Sequence, residues 1–235
     1  SRRDPDPLLQ SEYEGFIKAL SPRYALLWTT AIFTGLRHGE LTALAWEDVD
    51  LDKGELNVRR NQTNEGLFVP PKTDAGIRTV TLLEPALNAL REQFKLTGAL
   101  SKTEITFHHR EHGLTEQQKL RFVFVPPKNW RGETKYYGSQ SLGYSWEAGL
   151  KKAGIRSRRP YQSRHTFACW LLTAGANPSF IAGQMGHENA KMVYEIYSKW
   201  IGEMDRNQVE MLNSSFSDVV SQGCPKRKVV GIKSV

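Results

Sequence analysis

The sequence predicts an α+β fold, mainly helical, with helices around a small antiparallel β-sheet. Apolar residues recur at helical spacing in segments beginning near 22, 84, 144, 163, 178 and 189. Between residues 55 and 82 the pattern shortens towards a period of two, bounded by turn-forming clusters. A chain of 235 residues that is 39% hydrophobic and 24% charged can bury a core, which argues against disorder and for one compact domain with appendages.

Residues 1–10 read as an extended interdomain linker, with Pro5 and Pro7 set in the polar stretch Ser1-Arg2-Arg3-Asp4-Pro5-Asp6-Pro7. A chain opening on a linker is expected to be a fragment preceded by another domain. The compact domain is expected over 11–202, followed by a C-terminal helix or tail over 203–235.

Ser21-Pro22 supplies an N-cap and a proline at the first helical position. Tyr24, Leu27, Trp28, Ile32 and Phe33 continue at helical spacing until Gly35. A short second helix carries Glu40, Leu41 and Leu44. Strands are expected at 55–60 and 77–82, with turns at Asn64-Glu65-Gly66 and Thr73-Asp74-Ala75-Gly76. A helix over 84–96 places Leu87, Leu90 and Phe94 on one stripe. Residues 97–143 read as an extended surface connection anchored by the apolar run Phe122-Val123-Phe124-Val125. Helices return at 144–153, 163–174, 178–185 and 189–198, and the polar tail ends in Pro225-Lys226-Arg227-Lys228.

The formal net charge of +7 favours a polyanionic partner. No apolar run approaches membrane-spanning length and no charged-then-apolar leader opens the chain, so a cytoplasmic protein that does not enter membranes is expected. Cys169 lies in an apolar helical pattern and Cys224 in the polar tail, which does not suggest a disulfide framework.

Four segments carry candidate chemistry. In Thr34-Gly35-Leu36-Arg37-His38-Gly39-Glu40-Leu41, Gly35 allows a sharp turn, Arg37 follows where it could meet a phosphate, and Glu40 can orient a neighbouring cation. In Pro71-Lys72-Thr73-Asp74-Ala75-Gly76, a hairpin lysine can donate a proton or touch a phosphate. Lys151, Lys152, Arg156, Arg158, Arg159 and Arg164 form a run without acidic residues. It leads into an apolar helix whose start would hold Arg164 rigidly, and whose N-terminal potential suits a phosphate. Lys151, Lys152, Arg158 and Arg159 are expected to join Arg37 and Arg164 as phosphate contacts. Gly186-His187 reads as a turn between helices, with Tyr194 and Tyr197 on the helix that follows. Taken singly, each feature has an ordinary structural explanation.

Their order is informative. Gly-Leu-Arg-x-x-Glu at 35–40, a hairpin Lys72-Thr73, Arg164-His165-Thr166-Phe167-Ala168, Gly186-His187 and the late Tyr197 resemble the tyrosine recombinases, the phage-integrase family, from about residue 8 to 201. The resemblance implies the catalytic fold of DNA breaking-rejoining enzymes. It implies that Arg37 and Arg164 bind the scissile phosphate, Lys72 protonates the leaving 5′ oxygen, His187 hydrogen-bonds the phosphate, and Tyr197 forms a 3′-phosphotyrosyl bond. Glu40 takes a supporting acidic position. Tyr161 stands where the family most often has histidine, and His165 is expected to be structural.

The resemblance further implies a site-specific recombinase that integrates or excises a prophage or other mobile element. Double-stranded DNA is the expected partner, bound by a homotetramer on paired sites, with accessory DNA-bending proteins, in a nucleoid-associated setting. The tail from 203 is expected to pack on a neighbouring protomer. Two arginines can supply the charge stabilisation that a metal gives elsewhere, and the covalent intermediate conserves bond energy. No cofactor or metal is therefore expected.

Other readings remain open at this level. Histidines four apart in His108-His109-Arg110-Glu111-His112 could bind zinc from one helix face, as in a metal-dependent hydrolase or nuclease. A non-catalytic DNA-binding module could keep the fold. Type IB topoisomerases and telomere resolvases share the chemistry.

Overall fold

The computed structural model describes residues 4–127 and 135–200, with Val209, Asn213 and Ser214 beyond them. The expected trans-packing tail otherwise lies outside the described residues, as does Cys224.

Helices α1 (Gln10–Ala19) and α2 (Pro22–Thr34) pack with α5 (Leu142–Lys152) around Phe16, Trp28 and Trp146. The Trp28 and Trp146 ring centroids lie 4.8 Å apart. Both buried indole N–H groups are satisfied, by Ser145 Oγ at 2.9 Å and the Arg158 carbonyl at 2.8 Å. Ser21 and Pro22 stand at the N-cap and first helical position as the sequence predicts, although the Ser21 side chain makes no capping bond. After α2 comes the short α3 (His38–Thr42).

Strands β1 (Val49–Asp50), β2 (Glu55–Val58) and β5 (Arg78–Thr81) form the expected antiparallel sheet, with Leu56 opposite Val80 on its buried face. A second sheet, not foreseen, joins β3 (Asn61–Gln62), β4 (Phe68–Val69), β6 (Thr103–His108) and β7 (Thr115–Leu120). It is mixed, because β4 and β6 pair in parallel at Phe68 and Phe107. Within the segment 97–143, residues 103–120 thus form a hairpin rather than an extended connection. Strand β7, Thr-Glu-Gln-Gln-Lys-Leu, is an exposed edge with almost no apolar alternation, so its sequence carries no strand signal. The apolar anchor is real: Phe122, Val123 and Phe124 are buried, tied through a single bridge from Phe122 to Ala45.

This hairpin also removes the geometry for helical zinc binding. His108 ends β6 and His112 lies in the turn before β7, so no helix presents them on one face. His109 Nε2 instead meets Glu116 at 3.2 Å.

Helix α4 (Glu84–Thr97) forms as expected with a rotated stripe. It buries Ala86, Ala89, Leu90, Gln93 and Thr97, whereas Phe94 is exposed and edges against Trp46. The polar pair is buried because Gln93 Nε2 and Thr97 Oγ1 both donate to the Val123 carbonyl at 2.8 Å, satisfying the anchor's backbone.

Helices α6 (Gln162–Thr173), α7 (Pro178–Met185) and a helix over 191–200 (α8) share a second core of Phe167, Leu172, Ile181, Met185, Val193 and Tyr197. Residues 4–9 are extended, yet they are not a free linker. Leu8 is buried, and its N–H donates to Thr166 Oγ1 at 3.0 Å while its carbonyl accepts from Trp170 Nε1 at 2.8 Å. No described helix is long and apolar enough to cross a membrane.

Candidate active site

Gly35 ends α2 in the left-handed region at φ 64°, and a Cβ there would lie 2.5 Å from the Phe167 ring of α6. Glycine is required twice, by the turn and by the close approach of the two helices. The chain then enters α3 with Arg37 at its N-cap. Glu40 accepts from the Arg37 N–H and from Arg37 Nη1, each at 2.9 Å. It also accepts from Arg78 Nη1 at 3.1 Å and Nη2 at 3.0 Å. Burial alone would push the Glu40 carboxyl up. Hydrogen bonding and charge from Arg78, with the charges of Arg164 and Arg37, outweigh that and hold it below the ordinary carboxylate range. Glu40 is therefore an anion that fixes Arg37 while leaving part of its guanidinium open to solvent.

Arg164 sits in the first turn of α6, almost wholly buried. Its Nη1 donates to the Gly35 carbonyl, and its Nη2 to the Met185 carbonyl at 2.5 Å. One guanidinium thus satisfies the C-terminal carbonyls of α2 and α7 and locks three helices together. Burial and the neighbouring charge of Arg37 lower its pKa to about 10, which still leaves it protonated at neutral pH.

Helix α7 ends at Gly186, φ 67°, where a Cβ would meet Arg78 Nη1 at 2.9 Å and the Ala75 carbonyl at 3.0 Å. That approach delivers His187 to the arginines, with its Nε2 3.2 Å from Arg164 Nη2. Burial and the charges of Arg164, Arg37 and Arg78 push His187 down to about 3. The ring is neutral, so Nε2 accepts from Arg164 and the proton resides on Nδ1, which has no hydrogen-bond partner among the described residues.

Tyr197, on α8, is buried, whereas Tyr194, nearly one turn earlier on the same helix, is exposed. The Tyr197 hydroxyl lies 2.7 Å from His165 Nδ1. Burial raises the phenol above its ordinary value, against the lowering influence of Arg164. Burial and Arg164 push His165 down to about 4, so this ring is also neutral. Arg37, Arg159, Tyr161, Arg164, His165, His187 and Tyr197 line a single cleft of about 670 Å³. It sets cationic walls around a buried phenol, and those group types can together serve transfer at a phosphodiester.

A sequence profile of the phage integrase family matches residues 7–200. The chain belongs to the phage integrase family. It is 59% identical over 217 residues to the prophage integrase IntR of Escherichia coli K12, covering 92% of this chain and 53% of that protein. It is 28% identical to a XerC-like tyrosine recombinase of Caldanaerobacter subterraneus, covering 90% of this chain and 57% of that one. The chain spans about half the length of these curated relatives. In fold it resembles the Tn1549 transposon integrase in complex with transposon right end DNA, with TM-score 0.68 and 22% identity over 90% of this chain and 67% of the other. The XerA recombinase is similar, with TM-score 0.64 and 23% identity over 88% of this chain and 65% of the other.

Within this integrase-family domain, the predicted residues do not all converge. Lys72 is exposed on the segment between β4 and β5, outside the cleft lining. Lys151 and Lys152 are exposed in the last turn of α5, also outside it. Arg158 departs from the expectation of a phosphate contact. Its side chain is buried, with Nη2 donating to Glu12 at 2.8 Å and Nε to Asp6 at 3.3 Å. Arg156 likewise pairs with Asp6. Sequence reasoning missed Arg78, because a strand arginine has no distinguishing context until Glu40 and the Gln184 carbonyl are seen to be its partners. It also missed His38, whose Nε2 is 3.5 Å from Ser163 Oγ at the start of α6.

Proposed function

We propose that this chain is the catalytic portion of a site-specific DNA recombinase that integrates or excises a prophage or other mobile element. The observation that carries the reading is the convergence of Arg37, Arg164, His187 and Tyr197 on one cleft. Arg37 and Arg164 bind the non-bridging oxygens of the scissile phosphate and stabilise the charge that grows there in the transition state. Tyr197 attacks phosphorus, the P–O5′ bond breaks, and a 3′-phosphotyrosyl bond forms. Lys72, at the free end of its turn, protonates the departing 5′ oxygen once DNA draws it in. The 5′ hydroxyl of another strand then reverses the step.

Duplex DNA is the substrate, in keeping with the net charge of +7 and with relatives named as prophage integrases. Phosphate contacts make binding strongly salt-dependent. The assembly in this reading is a homotetramer on paired sites, aided by DNA-bending proteins, in the cytoplasm beside the nucleoid.

A nicked duplex that loses a short 5′-hydroxyl fragment after cleavage tests the reading, because religation is then prevented. The expected product is a denaturation-resistant protein–DNA adduct, absent in Tyr197→Phe and formed equally with EDTA. No adduct from the wild-type chain, with DNA binding intact, would identify a binding module instead. EDTA-sensitive cleavage restored by zinc would overturn the metal-free mechanism.

A further inference from the structure

The proton on the Tyr197 hydroxyl must leave as the phosphotyrosyl bond forms, and the groups around it differ in their ability to take it. Arg37, Arg159 and Arg164 have no acceptor atom. The His187 lone pair at Nε2 is directed at Arg164, 3.2 Å away. Glu195, two residues earlier on α8, is 3.7 Å from the Lys191 ammonium. Tyr161 is itself a phenol and stands edge-on to the His165 ring, with centroids 5.2 Å apart. His165 Nδ1 touches the hydroxyl directly at 2.7 Å. Tyr197 is only 1% exposed, so bulk water has poor access to replace it.

We propose that His165 is the general base for Tyr197, receiving the phenolic proton on Nδ1 during cleavage and returning it during religation. The inference rests on the preceding reading that Tyr197 is the nucleophile. It assigns a catalytic role to a residue whose position beside Arg164 first suggested structure alone.

The step balances. As Tyr197 Oη bonds to phosphorus, its proton passes to Nδ1 and the ring becomes an imidazolium, protonated on both nitrogens. The P–O5′ bond breaks and the 5′ oxygen takes a proton from the general acid. In religation the incoming 5′ hydroxyl gives its proton back to the general acid that was deprotonated in cleavage, the Tyr197–phosphorus bond breaks, and the phenolate recovers its proton from Nδ1. Nothing is oxidised or reduced.

Two features prepare His165 for this work. It lies within the reach expected of a base and its nucleophile, about 2.6–3.2 Å. It is also neutral before substrate arrives, since burial and the adjacent Arg164 keep it unprotonated. A bound phosphodiester brings a negative charge next to Arg164 and offsets that cation, so the imidazole becomes more basic as the cleft fills.

The test pairs two reactions on the same variants. Cleavage of the nicked duplex needs the phenol. Joining a 3′-nitrophenyl-phosphate strand to a 5′ hydroxyl does not, because nitrophenol is already a good leaving group in place of Tyr197. His165→Ala is expected to slow cleavage by about 10²–10⁴-fold, the usual contribution of a general base. Joining should fall by less than about tenfold, the arginines being intact. His165→Asn, which can hold the hydroxyl by a hydrogen bond but cannot take up its proton, should cleave as poorly as His165→Ala. Full cleavage by His165→Asn would make His165 a positioning residue and overturn the proposal. Equal loss of both reactions in His165→Ala would do the same, showing a collapsed phosphate site. Failure of the Tyr197 reading is separate, because the wild-type chain would then form no adduct.

Discussion

Glu40 and Arg78 form a buried two-point ion pair, 3.1 Å between Nη1 and Oε1 and 3.0 Å between Nη2 and Oε2. Both side chains are nearly inaccessible, at 2% and 6% exposure. The pair joins α3 to β5, and Arg78 Nε extends the tie to α7 through the Gln184 carbonyl at 2.7 Å. Arg37 borrows its orientation from the same carboxylate.

Removing Arg78 takes from the buried Glu40 carboxylate its two-point partner and leaves it the partly exposed Arg37. Arg78→Met is expected to destabilise the fold by about 3–5 kcal/mol, read from the denaturant midpoint. Adding Glu40→Gln should recover part of that loss, because the buried, under-compensated charge is gone. Recovered stability need not bring back cleavage, since Arg37 would still lack its anchor. A single variant as stable as wild type would show the pair to be unimportant.

Stability should fall as the medium is acidified from neutral. Burial is the largest influence on His38, His165 and His187, which sit at about 4, 4 and 3 in the folded chain against an ordinary 6.5. Below 6.5 the unfolded chain binds protons that the folded chain refuses, so unfolding becomes easier. This stabilisation is complete above the unfolded value and is lost as pH falls towards the folded ones. Glu40, depressed as well, adds a further loss only below its ordinary 4.5. The urea midpoint should therefore be lower at about pH 5.5 than at about pH 7.5. His38→Gln should shrink the difference. Equal midpoints at the two pH values would mean that these rings protonate freely in the folded state.

Neighbouring arginines should behave in opposite ways. Arg159 lines the cleft and is exposed, so Arg159→Ala should weaken DNA binding and reduce the salt slope by about one. Its thermal midpoint should hardly move. Arg158→Ala should leave the salt slope unchanged and destabilise the domain. Its cost should fall between about 1 kcal/mol for an exposed pair and about 3–5 kcal/mol for a buried one, since Asp6 and Glu12 retain some solvent. Salt titrations of binding, run beside melting curves, separate the two.

These contrasts mark what the sequence could and could not disclose. Arg37, Glu40, Arg164, His187 and Tyr197 were legible because their types recur in a family order, and Gly35 because a left-handed turn favours glycine. Arg158 was misread because a basic run without local acids suggests a free surface, whereas its partners Asp6 and Glu12 lie about 150 positions away along the chain. Arg78 had no local signal, its role depending on the meeting of three separate elements. The β6–β7 hairpin was hidden by an edge strand that is polar on both faces. The bond from His165 to Tyr197 spans 32 positions, and only the packing of α8 on α6 creates it.

The N-terminal segment gives a final contrast between adjacent residues. Leu8 is 1% exposed and Leu9 is 63% exposed, although both precede α1 in the same extended run. Leu8 packs beside α6, the helix that carries Arg164 and His165, and its backbone is fastened there by Thr166 and Trp170. Leu8→Ala should therefore cost about 2–5 kcal/mol, as for other buried leucines. Leu9→Ala should change stability by less than about 0.5 kcal/mol. Because the cavity opens against α6, Leu8→Ala should also slow cleavage at temperatures where the domain is still folded. The check is a denaturant series on both variants, followed by adduct formation measured well below the melting transition. Equal stabilities would mean that residues 4–9 are a loose leader. A stable, slow Leu9→Ala would mean that the segment acts through its exposed face instead.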